Sequence, residues 1–153
     1  MLEKIIVSLA LVISVISLSL ILTHHPEIEI ELPNIPDLDL INFEKVDDIK
    51  VSFQGDIALI NLYAGCYKIS AYVEKSQGES IVNALEGKRD IRPNSHDIVH
   101  DIFNELNIKV LDVRITELKN STYYAIINVR QKNKAFSLDI RPSDGIAIAL
   151  RMN

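Results

Sequence analysis

The sequence predicts an α+β fold, a single domain with a mixed or antiparallel sheet and about three helices, preceded by one N-terminal transmembrane helix. Three observations carry this. Residues 5–22 contain no charge, proline or glycine, while the remainder switches between the two-residue period of strands and the 3.6-residue period of helices. The 153 residues also leave room for one domain with a proper core plus an appendage. The reading divides the chain into an anchor at 1–23, an acidic proline-containing linker at 24–43 and a folded domain at 44–153.

As a helix, residues 5–22 would extend about 27 Å at ~1.5 Å per residue, close to the ~30 Å hydrocarbon thickness of a bilayer. A core helix of a globular domain would show a polar face, and this stretch offers only scattered serines. A cleaved signal peptide would have a shorter apolar region ending at a small-x-small site. Here apolar residues continue past Ser17-Leu18-Ser19. Lys4 precedes the span and no Lys or Arg follows until Lys45, so the domain is expected on the extracytoplasmic side of a single-pass membrane protein.

The linker begins His24-His25-Pro26, and adjacent histidines without further nearby ligands read as solvated residues at a membrane boundary. Glu27 to Leu32 alternates acidic and apolar residues like an edge strand, yet Pro33, Pro36 and the like charges favour an extended spacer. Residues 24–43 carry five acids and no base, while 44–153 carry 15 of the 16 Lys/Arg and 15 of the 21 Asp/Glu. The net charge of -5 therefore belongs to the linker, and the domain is neutral. A neutral domain lacks the basic face of a strong duplex binder, so any nucleic acid should bind weakly and be sensitive to salt.

Within the domain, Lys45 to Val73 reads as short strands broken at Gln54-Gly55-Asp56 and near Gly65. Cys66 is the lone cysteine, so no intrachain disulfide forms, and its strand-like surroundings suggest a buried, inert thiol. Ser76-Gln77-Gly78-Glu79 resembles a capping box for a helix that Gly87 stops. Ser95 is expected to cap a second helix, with Ile98, Val99, Ile102, Phe103 and Leu106 in one apolar arc and Asp97 facing away from the core. Val110–Leu118, Thr122–Arg130 and Ala135–Ile140 read as a three-stranded meander, and Ser143 or Asp144 starts a last, alanine-rich helix.

Two turns share one wording: Arg92-Pro93-Asn94-Ser95-His96-Asp97 and Arg141-Pro142-Ser143-Asp144. Together with Ala84-Leu85-Glu86-Gly87, Tyr123-Tyr124-Ala125 and the run Asp139 to Arg151, they resemble the bifunctional nuclease family, over roughly Val51 to Arg151. The resemblance implies an α+β domain, often a homo-oligomer, and a nuclease acting on DNA and RNA. It also implies a further strand after the last helix, for which Glu27 to Leu32 is the candidate replacement.

Cleaving a phosphodiester requires stabilising negative charge on phosphoryl oxygens and supplying a nucleophile. Arg92 and Arg141, with Ser143, suit phosphate binding, because a guanidinium donates two parallel hydrogen bonds. His96 suits proton transfer, and Asp97 and Asp144 suit catalysis beside it. Asp97, Asp139 and Asp144 are candidate ligands for a divalent metal such as magnesium or manganese, with Glu86 a further available carboxylate. Each residue has an architectural alternative: Arg-Pro positions a helix start, serines cap, and first-turn aspartates complement the helix dipole. His96 with His100 has the i, i+4 spacing of a helical metal pair but no accompanying motif, so His100 reads as polar flank. The functions that follow are a membrane-anchored nuclease, a non-catalytic binding or oligomer-assembly module, or a partner-docking protein working through its acidic linker.

Overall fold

Strands form where alternating apolar residues are closed by tight turns, and this happens twice in the chain. The computed structural model describes residues 43–152. Strands β1 (Asp48–Gln54), β2 (Ile57–Ala64) and β3 (Tyr67–Glu74) form one antiparallel sheet in the order β1-β2-β3. Strands β4 (Ile108–Lys119), β5 (Thr122–Gln131) and β6 (Lys134–Ile140) form a second, in the order β4-β5-β6. The expected single sheet is thus two three-stranded sheets, both wholly antiparallel. In each, the central strand buries alternate residues: Ala58, Ile60 and Leu62 in β2, Ala125, Ile127 and Val129 in β5.

Helices α1 (Lys75–Leu85) and α2 (Ser95–Glu105) lie between the sheets in sequence, and α3 (Pro142–Arg151) follows the second sheet. One core joins Ile60 and Leu62 of β2 to Ile81 of α1 and Ala147 of α3. The other joins Ile127 and Val129 of β5 to Ile148 of α3, with Val99 and Phe103 of α2 packed against it. The consecutive residues Ala147 and Ile148 therefore serve different cores, and α3 is the element that unites the two halves. Full burial of Ile81 alone contributes about 1.5–3 kcal/mol.

The helix starts differ from the sequence expectation. The capping box at Ser76 is not formed: β3 runs directly into α1 with Glu74 at the cap position and no side-chain capping bond. The first amide is satisfied by the chain itself, Lys75 N–H donating to the Asp56 carbonyl at 3.0 Å. Gly78 lies inside α1 because the helix backbone presses on β2; a Cβ there would collide with that of Ala58. Gly87 does end the segment, its φ of 63° being the left-handed conformation that follows many helices.

Asn94, not Ser95, caps α2. Its Oδ1 accepts from the N–H groups of His96 and Asp97, and Asp97 returns a bond to the Asn94 N–H, making a reciprocal box. That bond draws Asp97 inward, so it is buried and does not face away from the core. The expected apolar arc of α2 also splits: Val99 and Phe103 pack inward while Ile98, Ile102 and Leu106 are about half exposed. Cys66 sits exposed at the β2–β3 turn and is not a core thiol.

The transmembrane reading of 5–22 and the strand reading of Glu27–Leu32 fall outside the described residues. Among the described residues no helix is long and apolar enough to cross a membrane.

Candidate active site

The start of α3, the start of α2 and the middle of α1 meet at one cleft. It has a volume of about 410 Å³ and is lined by Gln77, Ser80, Asn94, His96, Arg141 and Asp144, among others. Arg141 precedes Pro142, whose fixed φ suits the first helical position, so Asp144 falls in the first turn and points back at the arginine. Arg141 Nε donates to Asp144 Oδ2 at 2.6 Å. With its amide oxygen turned toward the guanidinium, Gln77 accepts from both Nη atoms at 3.1 and 3.2 Å. The hydrogen bond and charge of Asp144 hold the Arg141 guanidinium above its ordinary pKa, against the smaller effect of burial. The Arg141 side chain is nevertheless 72% exposed, against 19% for Asp144, so the guanidinium is open to solvent although each of its nitrogens already donates.

The other oxygen of Asp144 contacts α2: His96 Nε2 lies 3.2 Å from Oδ1. On the far side of the ring, His96 Nδ1 lies 2.9 Å from Ser80 Oγ. Behind Ser80 stands Arg151, which donates from Nη2 to Ser80 Oγ at 3.0 Å and from Nη1 to the carbonyls of Ser80 and Ala147 at 3.1 and 2.8 Å. Its Nε reaches Asp97 Oδ1 at 2.7 Å. Arg151 and Asp97 are a buried pair, 8% and 5% exposed. Burial opposes ionisation of Asp97, but the Arg151 hydrogen bond, the Asn94 N–H and the charges of Arg151 and Arg89 outweigh it and hold the carboxyl below the usual carboxylate range. One polar chain therefore runs from solvent at Arg141 through Asp144, His96 and Ser80 to the buried Arg151 and Asp97.

The structure brings together His96, Arg141 and Asp144 but not the rest of the expected set. Arg92 is exposed on the loop before α2 and does not line the cleft. Ser143 is buried and Asp139 is exposed on β6; neither lines it. Asp97 is occupied by Arg151 and its own cap, and Glu86 pairs with Lys88 at 2.7 Å. Asp97, Asp139 and Asp144 thus do not converge on one cation site, and no group of three His, Cys, Asp or Glu able to hold a metal occurs among the described residues. His100 takes the polar-flank role, bonding Asp101 and Asn104 away from the cleft. Reading the sequence missed Ser80, Gln77 and Arg151. The signals were present: Asp144 and Arg151 are seven residues apart, two turns along one helix face, and Ser80 interrupts the apolar face of α1.

The model of the bifunctional nuclease domain matches residues 64–153, more than half of the sequence and all the cleft residues just described. The chain belongs to the bifunctional nuclease domain family. An uncharacterized protein from Mycobacterium tuberculosis is 32% identical over 81 residues, covering 53% of this chain and 48% of that protein. Bifunctional nuclease 1 of Oryza sativa subsp. japonica is 32% identical over 74 residues, and bifunctional nuclease 2 of Arabidopsis thaliana 31% over 74, each covering 46% of this chain and 22% of the plant protein. The chain thus spans about half the length of the mycobacterial relative and about a fifth of the plant ones. Within this bifunctional nuclease domain, strand β1 and nearly all of β2 lie ahead of the matched stretch.

Proposed function

We propose that this protein is a nuclease that hydrolyses phosphodiester bonds of DNA or RNA at the Arg141–Asp144–His96 cleft. Family membership and the names of the plant relatives support the reaction class. The observation that carries it is an oriented yet exposed arginine: Asp144 and Gln77 take three of the five N–H donors of Arg141, and the two left on its Nη atoms can donate to a phosphoryl oxygen. Asp144, in contact with both Arg141 and His96, accepts the proton of the attacking water. The water oxygen bonds phosphorus, the bond to the leaving oxygen breaks, one water proton passes to the site, and the leaving oxygen is protonated from solvent. The donor set does not fit a resident metal ion. The one carboxylate of the cleft hydrogen-bond chain that faces solvent, Asp144, is already engaged by Arg141 and His96, which leaves the expected magnesium or manganese without a resident site among the described residues. Cleavage of end-labelled single-stranded DNA and RNA by the full chain tests the reading. Asp144→Asn should reduce the rate by about 100-fold or more. Inertness of the native chain on every DNA and RNA tried would remove the reaction; an unimpaired Asp144→Asn variant would remove the site.

Residues 5–22 would hold this nuclease in a membrane as a single-pass protein with the domain on the extracytoplasmic side, which carbonate extraction and protease accessibility of membranes test. A second reading, an oligomer-assembly module, is favoured by the exposed stripe Ile98, Ile102 and Leu106 on α2. Ile102→Glu should then lower the molar mass measured by light scattering, and a native monomer would dismiss this reading.

A further inference from the structure

The hydrogen-bond chain through the cleft has a direction, and that direction decides which residue moves the proton. Asn94 Oδ1 accepts from the backbone N–H groups of His96 and Asp97 at 2.9 and 3.0 Å, which fixes the amide so that Nδ2 is the atom facing Ser80 Oγ, at 3.4 Å. Arg151 Nη2 also faces Ser80 Oγ, at 3.0 Å. Both are donors that cannot accept. A serine hydroxyl has two acceptor sites and a single proton. With both acceptor sites occupied by obligate donors, the hydroxyl proton is directed to its remaining neighbour, His96 Nδ1 at 2.9 Å. Nδ1 must then be the unprotonated ring nitrogen, and the ring proton sits on Nε2, facing Asp144 Oδ1.

We infer that Ser80, oriented by Arg151 and Asn94, is a positioning residue that holds His96 in its Nε2–H form, making His96 a fixed hydrogen-bond donor to Asp144 and leaving Asp144 as the base. A neutral ring whose Nδ1 is engaged as an acceptor cannot release its Nε2 proton without becoming an anion, so His96 keeps that proton throughout. Asp144 instead takes one proton from the attacking water as the oxygen–phosphorus bond forms, and returns it to solvent after the leaving oxygen departs. Two arginines thereby act at opposite ends of the chain. Arg141 faces the substrate from the cap of α3, and Arg151, ten residues and nearly three turns farther along, sets the tautomer from beneath. The catalytic consequence rests on the nuclease reading above; the tautomer does not.

The decisive measurement is a long-range proton–nitrogen NMR spectrum of the full chain in detergent, with its histidines labelled with nitrogen-15. At neutral pH, His96 should show an unprotonated Nδ1 and a protonated Nε2, and Ser80→Ala should move both nitrogens toward the shifts of a mixed tautomer. A native ring protonated on Nδ1, alone or together with Nε2, overturns the assignment even if the Ser80 variant does not fold. A folded Ser80→Ala protein with unchanged ring signals overturns the role of Ser80. Kinetics separate the roles of His96: glutamine can donate in place of Nε2–H but cannot shuttle a proton. His96→Gln should stay within about tenfold of the native rate while His96→Ala loses about 100-fold or more, whereas a proton shuttle would lose ~10²–10⁴-fold in both. Equal losses in the two variants would end the donor role. If the native chain cleaves nothing, the nuclease reading falls and the ring-nitrogen spectra still decide the tautomer.

Discussion

Removing the Arg151 guanidinium should be among the most damaging single changes in the domain. Arg151→Met keeps the apolar stem and deletes four hydrogen bonds, to Asp97, to the Ser80 carbonyl and hydroxyl, and to the Ala147 carbonyl. It leaves Asp97, 5% exposed, with its Asn94 capping bond but no opposing charge within contact. Breaking a buried pair by deleting one partner costs about 3–5 kcal/mol. For a domain of this size that corresponds to a fall in Tm of roughly 10–20 °C. The pH dependence should also change sign. In the native protein the folded pKa of Asp97 is depressed, so the pair's contribution is complete above the ordinary carboxylate value of about 3.9 and is lost as pH falls through the lower folded value. In Arg151→Met burial acts against ionisation with the main compensation gone, the folded pKa rises, and stability grows as pH falls toward it. Thermal and urea unfolding followed by circular dichroism between pH 2 and 8 measure both effects. In a double-mutant cycle, Asp97→Asn should recover about 1–3 kcal/mol of the Arg151→Met loss. A Tm shift below a few degrees, or strict additivity in the cycle, would refute the buried-pair reasoning.

Other consequences are simpler to read. Gly145→Ala places a Cβ 2.8 Å from Val113 Cγ1 and 3.4 Å from Ile140 Cγ2, so either the Val113 side chain or α3 must shift; a loss of about 1–3 kcal/mol in urea denaturation is expected. Arg141→Ala should weaken binding of nucleic acid alike across sequences and lower the slope of log K against log salt by about 1, measured by fluorescence anisotropy. Cys66, exposed at the β2–β3 turn, should react fully with a thiol reagent in the native protein, and labelling only after unfolding would contradict its placement.

Much of the fold was legible because it is local. Period-two runs closed by Gln54-Gly55-Asp56 and by Lys119-Asn120-Ser121 announce hairpins, and the three helices follow from their apolar spacing and from the stop at Gly87. Capping was less legible. Ser76 and Ser95 are good caps in isolation, but Lys75 N–H finds the Asp56 carbonyl and Asn94 reaches the α2 amides first. The burial of Asp97 was hidden for a related reason. Helical periodicity puts it on the polar side of α2, and only Arg151, 54 residues away, makes that side an interior.

The sequence by itself determined the element types, the Arg141-Pro142 start of α3 and the neutrality of the domain, all of which depend on residues within a few positions of one another or on composition alone. The tertiary structure decided which of those polar residues meet. Asp144 and His96 are 48 positions apart, Ser80 and Arg151 are 71, and their contacts depend on Ala147 and Ile148 seating α3 in both cores at once. Side-chain pairing across such separations is set by how helices pack, and no local pattern encodes it. For this reason Arg92 and Arg141, alike in wording, occupy different surroundings, and the second arginine of the hydrogen-bond chain is the buried Arg151.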